Sequence, residues 1–365
     1  MDNDNNQKTL TPTEGKKVME EQSPMNKSFV QKRRLIHLVK DNIIALLLVV
    51  LVLFVGFTQK NFFSFANLIN TVSNLTPRFI IALGVSGCLI IRGTDLSAGR
   101  AVGLAGVVAC TLLQRNDYGD KFFGANFTAP ETWWYVLGIA LFVIFLSMCF
   151  GLADGLIIAN LKVPPFLATL GMQTVVYGIA RVYSNAKPIG GLRSDYTSIA
   201  TAPIFQIGNF NFKWLFLFAI IGGLIFWFLY NKTRYGKYMY AIGGNENAAE
   251  VSGVNVKYSI IRIYALAGAM YGLAGFLLAA KSGGASVNLG QGYELEAIAA
   301  CTIGGVSTGG GVGKVSGILL GVLVFELLKT SMQYLGINSD WQQIVQGAVI
   351  IIAVAFDVRK YLKRN

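Results

Sequence analysis

The sequence has little charge and a single histidine, His37. Asp, Glu, Lys and Arg together make up 14% of its 365 residues, whereas soluble domains carry about 25%. Hydrophobic residues make up 53%, and many of them stand in long apolar runs. This composition excludes an ordinary soluble domain and indicates a protein that crosses a membrane several times.

The sequence also lacks paired cysteines. Its four cysteines, Cys88, Cys110, Cys149 and Cys301, all lie inside apolar segments and show no pair or metal-type spacing. They are predicted to be small buried apolar side chains, not disulfides or zinc ligands. No His/Asp cluster or activated nucleophile is visible either, so we predict no catalytic, cofactor-binding or metal-binding residue.

Glycine is plentiful, and "STGGGVGKVSG" (307–317) looks at first like a phosphate-binding loop. Such a loop needs a glycine, then four residues of any type, then Gly-Lys, with Ser or Thr directly after the lysine. Thr308 and Val315 occupy those two positions. The stretch is therefore predicted to break a helix and to let helices pack closely. The chain has no ATP motif of its own.

The apolar runs predict an all-α polytopic membrane protein with about ten transmembrane helices, each near the roughly 20 residues needed to span a bilayer. The predicted spans are Asp41–Phe57, Leu75–Ile91, Ala98–Gln114, Trp133–Asn160, Val163–Tyr183, Lys213–Tyr230, Ser259–Ala280, Leu295–Val306, Gly313–Leu335 and Trp341–Val358. Residues 295–306 form the weakest span and could be a half-helix. Residues 61–72 either lie in the interface or extend the second span.

Basic residues set the orientation. The net charge is +12, and Lys and Arg cluster beside alternate spans, which favours both termini in the cytoplasm. Residues 1–26 are predicted to be a disordered polar tail, and 359–365 a basic cytoplasmic end. The basic segment 27–40 either forms a helix on the inner leaflet or only supplies orienting charge. Residues 41–358 then form the transmembrane domain.

Two glycine-rich breaks resemble each other in layout, at Ile90–Gly106 and Ile303–Gly321. In each, an apolar helix stops at a polar turn and another helix begins with small residues. Broken helices of this kind line solute paths in transporters, although a plain cytoplasmic turn is an equal alternative. The candidate path or helix-break residues are Arg92, Asp95, Ser97, Gly99, Gly304, Gly305, Gly309 and Gly310.

Charged residues inside spans are costly and therefore informative. Arg92 and Asp95 flank the first break and are candidates for an ion pair. Glu326 and Lys329 stand three apart on one helix and could also pair. Asp154 lies late in a long span and is expected near the cytoplasmic interface. For each of them, a structural pair or a snorkelling charge is as good an explanation as solute contact. No series of Asp, Glu and His threads the spans, which argues against proton coupling.

One cytoplasmic loop, 231–258, has helix signals of its own. Gly243 and Gly244 break the chain, Asn245 can cap a short helix through Ser252, and Gly253 can stop it. Ala248 and Ala249 are available for packing. The segment is either a docking helix or an ordinary connection.

This loop, "TRYGKYMYAIGGNENAAEVSGVNV", resembles the cytoplasmic loop in permease subunits of bacterial monosaccharide ABC importers. Four further motifs resemble that family in the same order: "GTDLSAGRAVGLAGVVA", "LKVPPFLATLGMQTVVYGIARV", "ELEAIAACTIGGVSTGGGVGK" and "WQQIVQGAVIIIAVAFD". The resemblance runs from about residue 40 to the end. "GTDLSAGR" and "SDWQQIVQGAVIII" are most similar to permeases for galactose and methyl-galactosides. Ribose-type members more often have Gly-Ile-Asp-Leu-Ser-Val-Gly-Ser, from which Thr94, Ala98 and Arg100 depart.

The resemblance implies a type II-like importer fold in the bacterial inner membrane. Two permease copies would form a pore on a tandem ATPase subunit, which alone would hold ATP and magnesium. An extracytoplasmic binding protein would deliver galactose, methyl-galactoside or glucose. Membrane lipid, and no nucleic acid, would surround the chain. The resemblance also implies that Asn245–Gly253 is the coupling helix, and the ATPase-coupling candidates are Tyr235, Gly236, Gly243, Gly244, Asn245, Ala248, Ala249 and Gly253. A permease for ribose or another sugar, and an ion-coupled secondary sugar transporter, are the alternatives.

Overall fold

The computed structural model describes residues 43–124, 126–208 and 210–362. The predicted polar tail (1–26), the basic segment (27–40) and the last three residues of the basic C-terminal end lie outside the described residues. The elements of the described part are α1 (Ile43–Thr58), α2 (Phe65–Ile90), α3 (Ala98–Leu112), α4 (Trp133–Leu161), α5 (Pro165–Ser184), α6 (Ser194–Thr201), β1 (Pro203–Ile207), β2 (Phe210–Lys213), α7 (Trp214–Lys232), α8 (Arg234–Gly244), α9 (Glu246–Val251), α10 (Val256–Ser282), α11 (Tyr293–Ile303), α12 (Val315–Tyr334) and α13 (Ser339–Leu362).

A helix lies at each of the ten predicted spans. Five of these helices are both long enough and apolar enough to cross a membrane, namely α2, α4, α7, α10 and α12. The helix α3 is apolar but shorter, and α11 has only 11 residues. The structure therefore shows a helical membrane protein, while the full count of ten crossings stays a prediction.

The second span is longer than its apolar core. Residues from Phe65 onwards extend it into one helix of 26 residues. Of the two alternatives for residues 61–72, the structure therefore favours an extension of the second span over a separate interfacial segment. Ser64 caps this helix by accepting a hydrogen bond from the Asn67 amide, with the two atoms 3.2 Å apart. Pro77 lies inside the helix.

The prediction of an all-α fold is wrong at one place. β1 and β2 form an antiparallel hairpin, with Phe205 opposite Phe212 and Gln206 opposite Asn211. Apolar and polar residues alternate in β2, as they do in strands, and the Phe205 and Phe212 rings stack at 4.9 Å. The hairpin and α6 both lie in the 184–212 connection, which the apolar pattern left without structure.

The core is built around α10, which packs against α4, α3 and α2. Small residues let α4 and α10 approach closely: a Cβ atom on Gly268 would lie 2.4 Å from the Ser147 carbonyl oxygen. The outer faces of α4 and α7 carry exposed large apolar side chains such as Phe145 and Trp227, as expected of lipid-facing helices. Cys88, Cys110 and Cys301 are buried as predicted, but Cys149 is exposed on α4, because it stands on such an outward face.

Candidate functional site

The first glycine break connects the end of α2 to the start of α3. Asp95 lies fully buried in it and accepts hydrogen bonds from the Ser97 amide at 2.9 Å, the Ser97 hydroxyl at 2.7 Å and the Tyr271 hydroxyl at 2.9 Å. The hydroxyl of Thr169 on α5 donates to the Thr94 carbonyl and accepts from the Leu96 amide, both at 3.1 Å. The turn is thus tied to α10 and α5 by polar groups.

Arg92 points from this turn towards the loop 231–258. Its guanidinium donates to the Gly243 carbonyl at 2.9 Å and to the Gly244 carbonyl at 2.6 Å. Its backbone has φ +64°, a left-handed conformation that is uncommon for residues other than glycine. Arg92 and Asp95 had been predicted as a pair, but the two side chains bond to different parts of the molecule, Asp95 to Ser97 and Tyr271. A pattern of neighbouring charges does not reveal the direction of a side chain within a turn.

The second glycine turn meets the first. The Gly311 amide donates to the Ile90 carbonyl at 2.8 Å. A Cβ atom on Gly243 would lie 1.8 Å from that same carbonyl oxygen and 2.5 Å from the Gly311 nitrogen. One on Gly310 would lie 2.4 Å from the Arg92 side chain. We term this contact of Ile90, Arg92, Gly243, Gly310 and Gly311 the glycine junction.

The helix α9 follows the glycine junction directly. The Asn245 side chain caps it by accepting a hydrogen bond from the Ala248 amide at 3.0 Å, as predicted. Ala249 is buried, whereas Val251 is 91% exposed. Gly253 follows with φ +84° and ends the turn. A short, rigidly capped helix with one packed face and one free apolar side chain is suited to docking.

Tyr235 and Gly236 lie at the start of α8, before the junction. A Cβ atom on Gly236 would lie 2.1 Å from the Tyr230 carbonyl oxygen, so the chain turns tightly there from α7 into α8. The ring of Tyr235 lies parallel to that of Tyr230, 6.4 Å away. These two residues position α8 against α7. Of the remaining coupling candidates, Ala248 is exposed on α9.

The other predicted glycines pack helices together. A Cβ atom on Gly304 would lie 2.2 Å from the Gly317 carbonyl oxygen, which holds α11 against α12. Gly305 has φ +84° and turns the chain, and the Gly309 amide donates to the Ser307 hydroxyl at 3.2 Å. Next to it, the amide and hydroxyl of Thr308 both donate to Asp357 of α13, at 2.8 and 2.7 Å.

Gly99 contacts a residue that the sequence interpretation had not selected. A Cβ atom on Gly99 would lie 2.0 Å from the Glu294 carboxylate. Glu294 is 6% exposed and lies at the start of α11. The segment before α11 also packs against α3, because Leu289 approaches Gly103. The two acidic residues at the start of the weakest span, Glu294 and Glu296, were the available signal for this contact.

A group of buried ionic side chains lies farther along α2. Arg78 forms ion pairs with Glu326 and with Glu296, the latter at 3.1 Å, and Lys329 pairs with Glu296 at 2.7 Å. The Arg78 guanidinium also lies over the Tyr293 ring at 5.0 Å. We term these five residues the ionic cluster. The predicted pairing of Glu326 with Lys329 is wrong, because partners from α2 and α11 face these two side chains more closely than they face each other.

Asp154 is expected near the cytoplasmic interface, and its depth in the membrane stays a prediction. Its side chain is fully buried, and neither of its carboxylate oxygens has a hydrogen-bond partner. It lies in α4 where that helix packs against α10, beside the glycines that let the two helices approach. Within residues 43–124, 126–208 and 210–362, no three His, Cys, Asp or Glu side chains cluster in a way that could hold a metal ion.

Comparison with known proteins identifies a family and several relatives. The profile of the family described as "Branched-chain amino acid transport system / permease component" matches residues 67–354. The galactose/methyl galactoside import permease protein MglC of Escherichia coli strain K12 is 44% identical over 93% of this chain and all of its own length. Its Haemophilus influenzae counterpart is 41% identical with the same coverage. The ribose import permease protein RbsC of E. coli strain K12 is 32% identical over 88% of this chain and 94% of its own.

No solved structure gives a significant match. The profile nevertheless covers most of the chain, and the permeases just described are matched over nearly their whole length. The glycine turns, the capped helix α9 and the apolar spans are thus features of a chain that belongs to the membrane permease family of branched-chain amino acid transport type.

Proposed function

We propose that this chain is the permease subunit of an ATP-driven sugar importer, and that it forms the path for a monosaccharide, galactose or methyl-galactoside. Support comes from its relatives: the galactose/methyl galactoside permeases are 41–44% identical, and the ribose permease of E. coli is 32% identical. Glucose, which differs from galactose at one hydroxyl group, is a further candidate solute.

The observation that carries the mechanism is the glycine junction. It places α9 one residue beyond Gly244, and the carbonyls of Gly243 and Gly244 are held by Arg92 of the first glycine turn. Gly311 of the second turn bonds to the same end of α2. A displacement of α9 therefore acts on the first turn through the Arg92 side chain and on the second through the main-chain packing of Gly243 against Ile90 and Gly311.

In this proposal α9 is the coupling helix, and its exposed face inserts into a groove of a separate ATPase. ATP and magnesium bind to that ATPase, and this chain carries out no hydrolysis. When ATP closes the ATPase pair, α9 moves and the glycine junction passes the motion to α2 and α12. The permease then changes from outward to inward access, which is a two-state change biased by a bound partner.

The proposed assembly contains two copies of this chain, a tandem ATPase and an extracytoplasmic sugar-binding protein. The chain lies in the bacterial inner membrane with about ten crossings in a type II-like importer fold, surrounded by lipid and without nucleic acid. Both termini lie in the cytoplasm, because Lys232, Arg234 and Lys237 then stand with α8 and α9 on the inner side.

The first experiment is a pull-down of the full chain from native membranes through a C-terminal tag. A tandem ATPase in stoichiometric amount, and ATP-dependent uptake of radiolabelled galactose after reconstitution with the binding protein, are expected. Galactose uptake driven by an ion gradient in liposomes that contain the permease alone would instead establish a secondary transporter. Uptake of ribose but not galactose would reassign the sugar.

A further inference from the structure

A polar cavity lies at the end of α2 opposite to the glycine junction. Its volume is ≈ 430 Å³, within the range of about 300–1,000 Å³ typical of small-molecule sites. It is bounded by the start of α2 and the ends of α10 and α12. Its lining includes Asn67, Asn70, Asn74, Lys281, Thr330 and Gln333.

The lining is made mostly of neutral amides and hydroxyls. Asn and Gln side chains both donate and accept hydrogen bonds, as do the hydroxyl groups of a sugar. Polar side chains at the level of membrane helices are costly unless they serve a polar solute or pathway. The cavity is lined by Lys213 and Lys281 but by no carboxylate, and the Lys281 ammonium already donates to the Asn74 side chain. Lysine ammonium groups donate hydrogen bonds to sugar hydroxyls as well as to anions, so the amides and hydroxyls of the lining, not its charge, are what favour a polyhydroxylated solute.

The ionic cluster lies directly beyond the cavity. Asn74 lines the cavity and Arg78 stands one helical turn further along α2. In the same way, Thr330 lines it and Glu326 stands one turn away on α12. The ion pair of Arg78 with Glu326 thus joins the same two helices that bound the cavity. Glu326 is 2% exposed, and along both helices the pair lies between the cavity and the glycine junction.

We propose that this cavity is a monosaccharide-binding site on the extracytoplasmic side of the permease and that the ionic cluster is its closed inner gate. The inference rests on the proposed function and adds the place where sugar rests after leaving the binding protein. Asn70 and Gln333 are both exposed at the cavity, so solute can reach them from the aqueous side. The site holds sugar weakly, because a translocation site must also release it.

The test uses thiol labelling in a Cys149→Ser background, which removes the exposed cysteine. Asn70→Cys and Gln333→Cys place thiols on two different walls of the cavity. Leu68→Cys is the matched control, since Leu68 is 49% exposed on the same helix but is absent from the cavity lining. Each protein is reconstituted in liposomes and treated with a membrane-impermeant methanethiosulfonate. Free galactose is added at a concentration on the order of 0.1 M, enough to fill a site with a millimolar Kd.

Galactose is expected to slow labelling at residues 70 and 333 by up to about a hundredfold, the ratio of its concentration to a millimolar Kd, and to leave labelling at residue 68 unchanged. Labelling at residues 70 and 333 should also block ATP-driven uptake. Equal labelling rates with and without galactose at both cavity positions would overturn the inference, as would protection by galacturonate alone. Uptake by the parent protein distinguishes failure of the proposed site from failure of the proposed function. If the parent protein takes up galactose with ATP while labelling of the two cysteine variants is insensitive to galactose, only the proposed site is wrong.

Discussion

Gly243 lies so close to Ile90 that a Cβ atom on Gly243 would stand 1.8 Å from the Ile90 carbonyl oxygen. No side chain, not even that of alanine, fits there without moving the end of α2 or the second glycine turn. The position therefore tests whether the glycine junction transmits motion between α9 and the apolar helices α2 and α12.

Gly243→Ala is expected to reduce ATP-driven uptake by about tenfold or more, the effect of roughly 1.4 kcal/mol, and Gly243→Trp to abolish it. The matched control is Gly244→Ala, because a Cβ atom on Gly244 meets nothing within 4 Å. Uptake and ATP hydrolysis are measured together in liposomes. The variants should still insert, and ATP hydrolysis should persist without uptake. Parental uptake by the Gly243→Trp protein would contradict transmission through the junction.

Removal of the α9 cap should weaken coupling without unfolding the protein. Asn245→Ala removes the acceptor of the Ala248 amide and is expected to cost the helix about 1 kcal/mol. Since α9 has six residues, this loss frays most of it, and transport per ATP hydrolysed should fall. Asn255→Ala removes an equivalent cap from α10, which has 27 residues and tolerates fraying of one turn. Equal transport-to-ATP ratios in the two variants would argue against α9 as the coupling helix.

The first glycine turn should depend on the charge of Asp95. Asp95→Asn keeps one acceptor oxygen but places an amide where a carboxylate oxygen accepts from the Tyr271 hydroxyl at 2.9 Å. The Tyr271 hydroxyl then loses its acceptor, and a buried polar group left without its partner costs about 1–3 kcal/mol. Uptake is therefore expected to fall severalfold, and proteolysis of the turn at 91–97 to accelerate. Tyr271→Phe, which removes a single donor, should have a smaller effect. Transport by Asp95→Asn at the parental rate would show that Asp95 does not order the break.

The thermal stability of the protein should fall when one partner in the ionic cluster is removed and should recover when both partners are removed. Glu326→Leu removes the more deeply buried of the two carboxylates that pair with Arg78, since the Glu326 side chain is 2% exposed. Breaking a buried pair costs about 3–5 kcal/mol. The double variant Arg78→Met/Glu326→Leu keeps the pair of Glu296 with Lys329 and should regain most of the thermal stability in detergent. Glu246→Gln in the exposed pair with Lys162 is the control and should change stability by less than about 1 kcal/mol. A double variant no more stable than the single one would contradict the pairing.

The sequence predicted those features that depend on local pattern. The positions of ten helices follow from apolar runs, and the cap at Asn245 with the stop at Gly253 follows from residue types that favour helix ends. The hairpin at 203–213 was missed because its strands are short and lie in the connection between two long apolar runs, and only such runs predict the spans.

Features that depend on long-range contacts could not be predicted in the same way. Arg78 pairs with residues 218 and 248 positions away, so nothing near it in the chain indicated its partners. Glu326 and Lys329 have a spacing that permits a pair, but α2 and α11 bring better-placed charges to each. The glycines of the two turns were recognised as breaks, whereas their contact with Gly243 needs three distant segments to meet.

The bond between Thr308 and Asp357 has a consequence for the order of assembly. The two residues are separated by 49 positions, and Asp357 lies in α13, which follows α12 in the chain. The ribosome therefore makes the second glycine turn well before it makes the carboxylate that binds it. During synthesis this turn must wait until α12 and α13 have been made, so the contact between Thr308 and Asp357 is among the last contacts of the described residues to form.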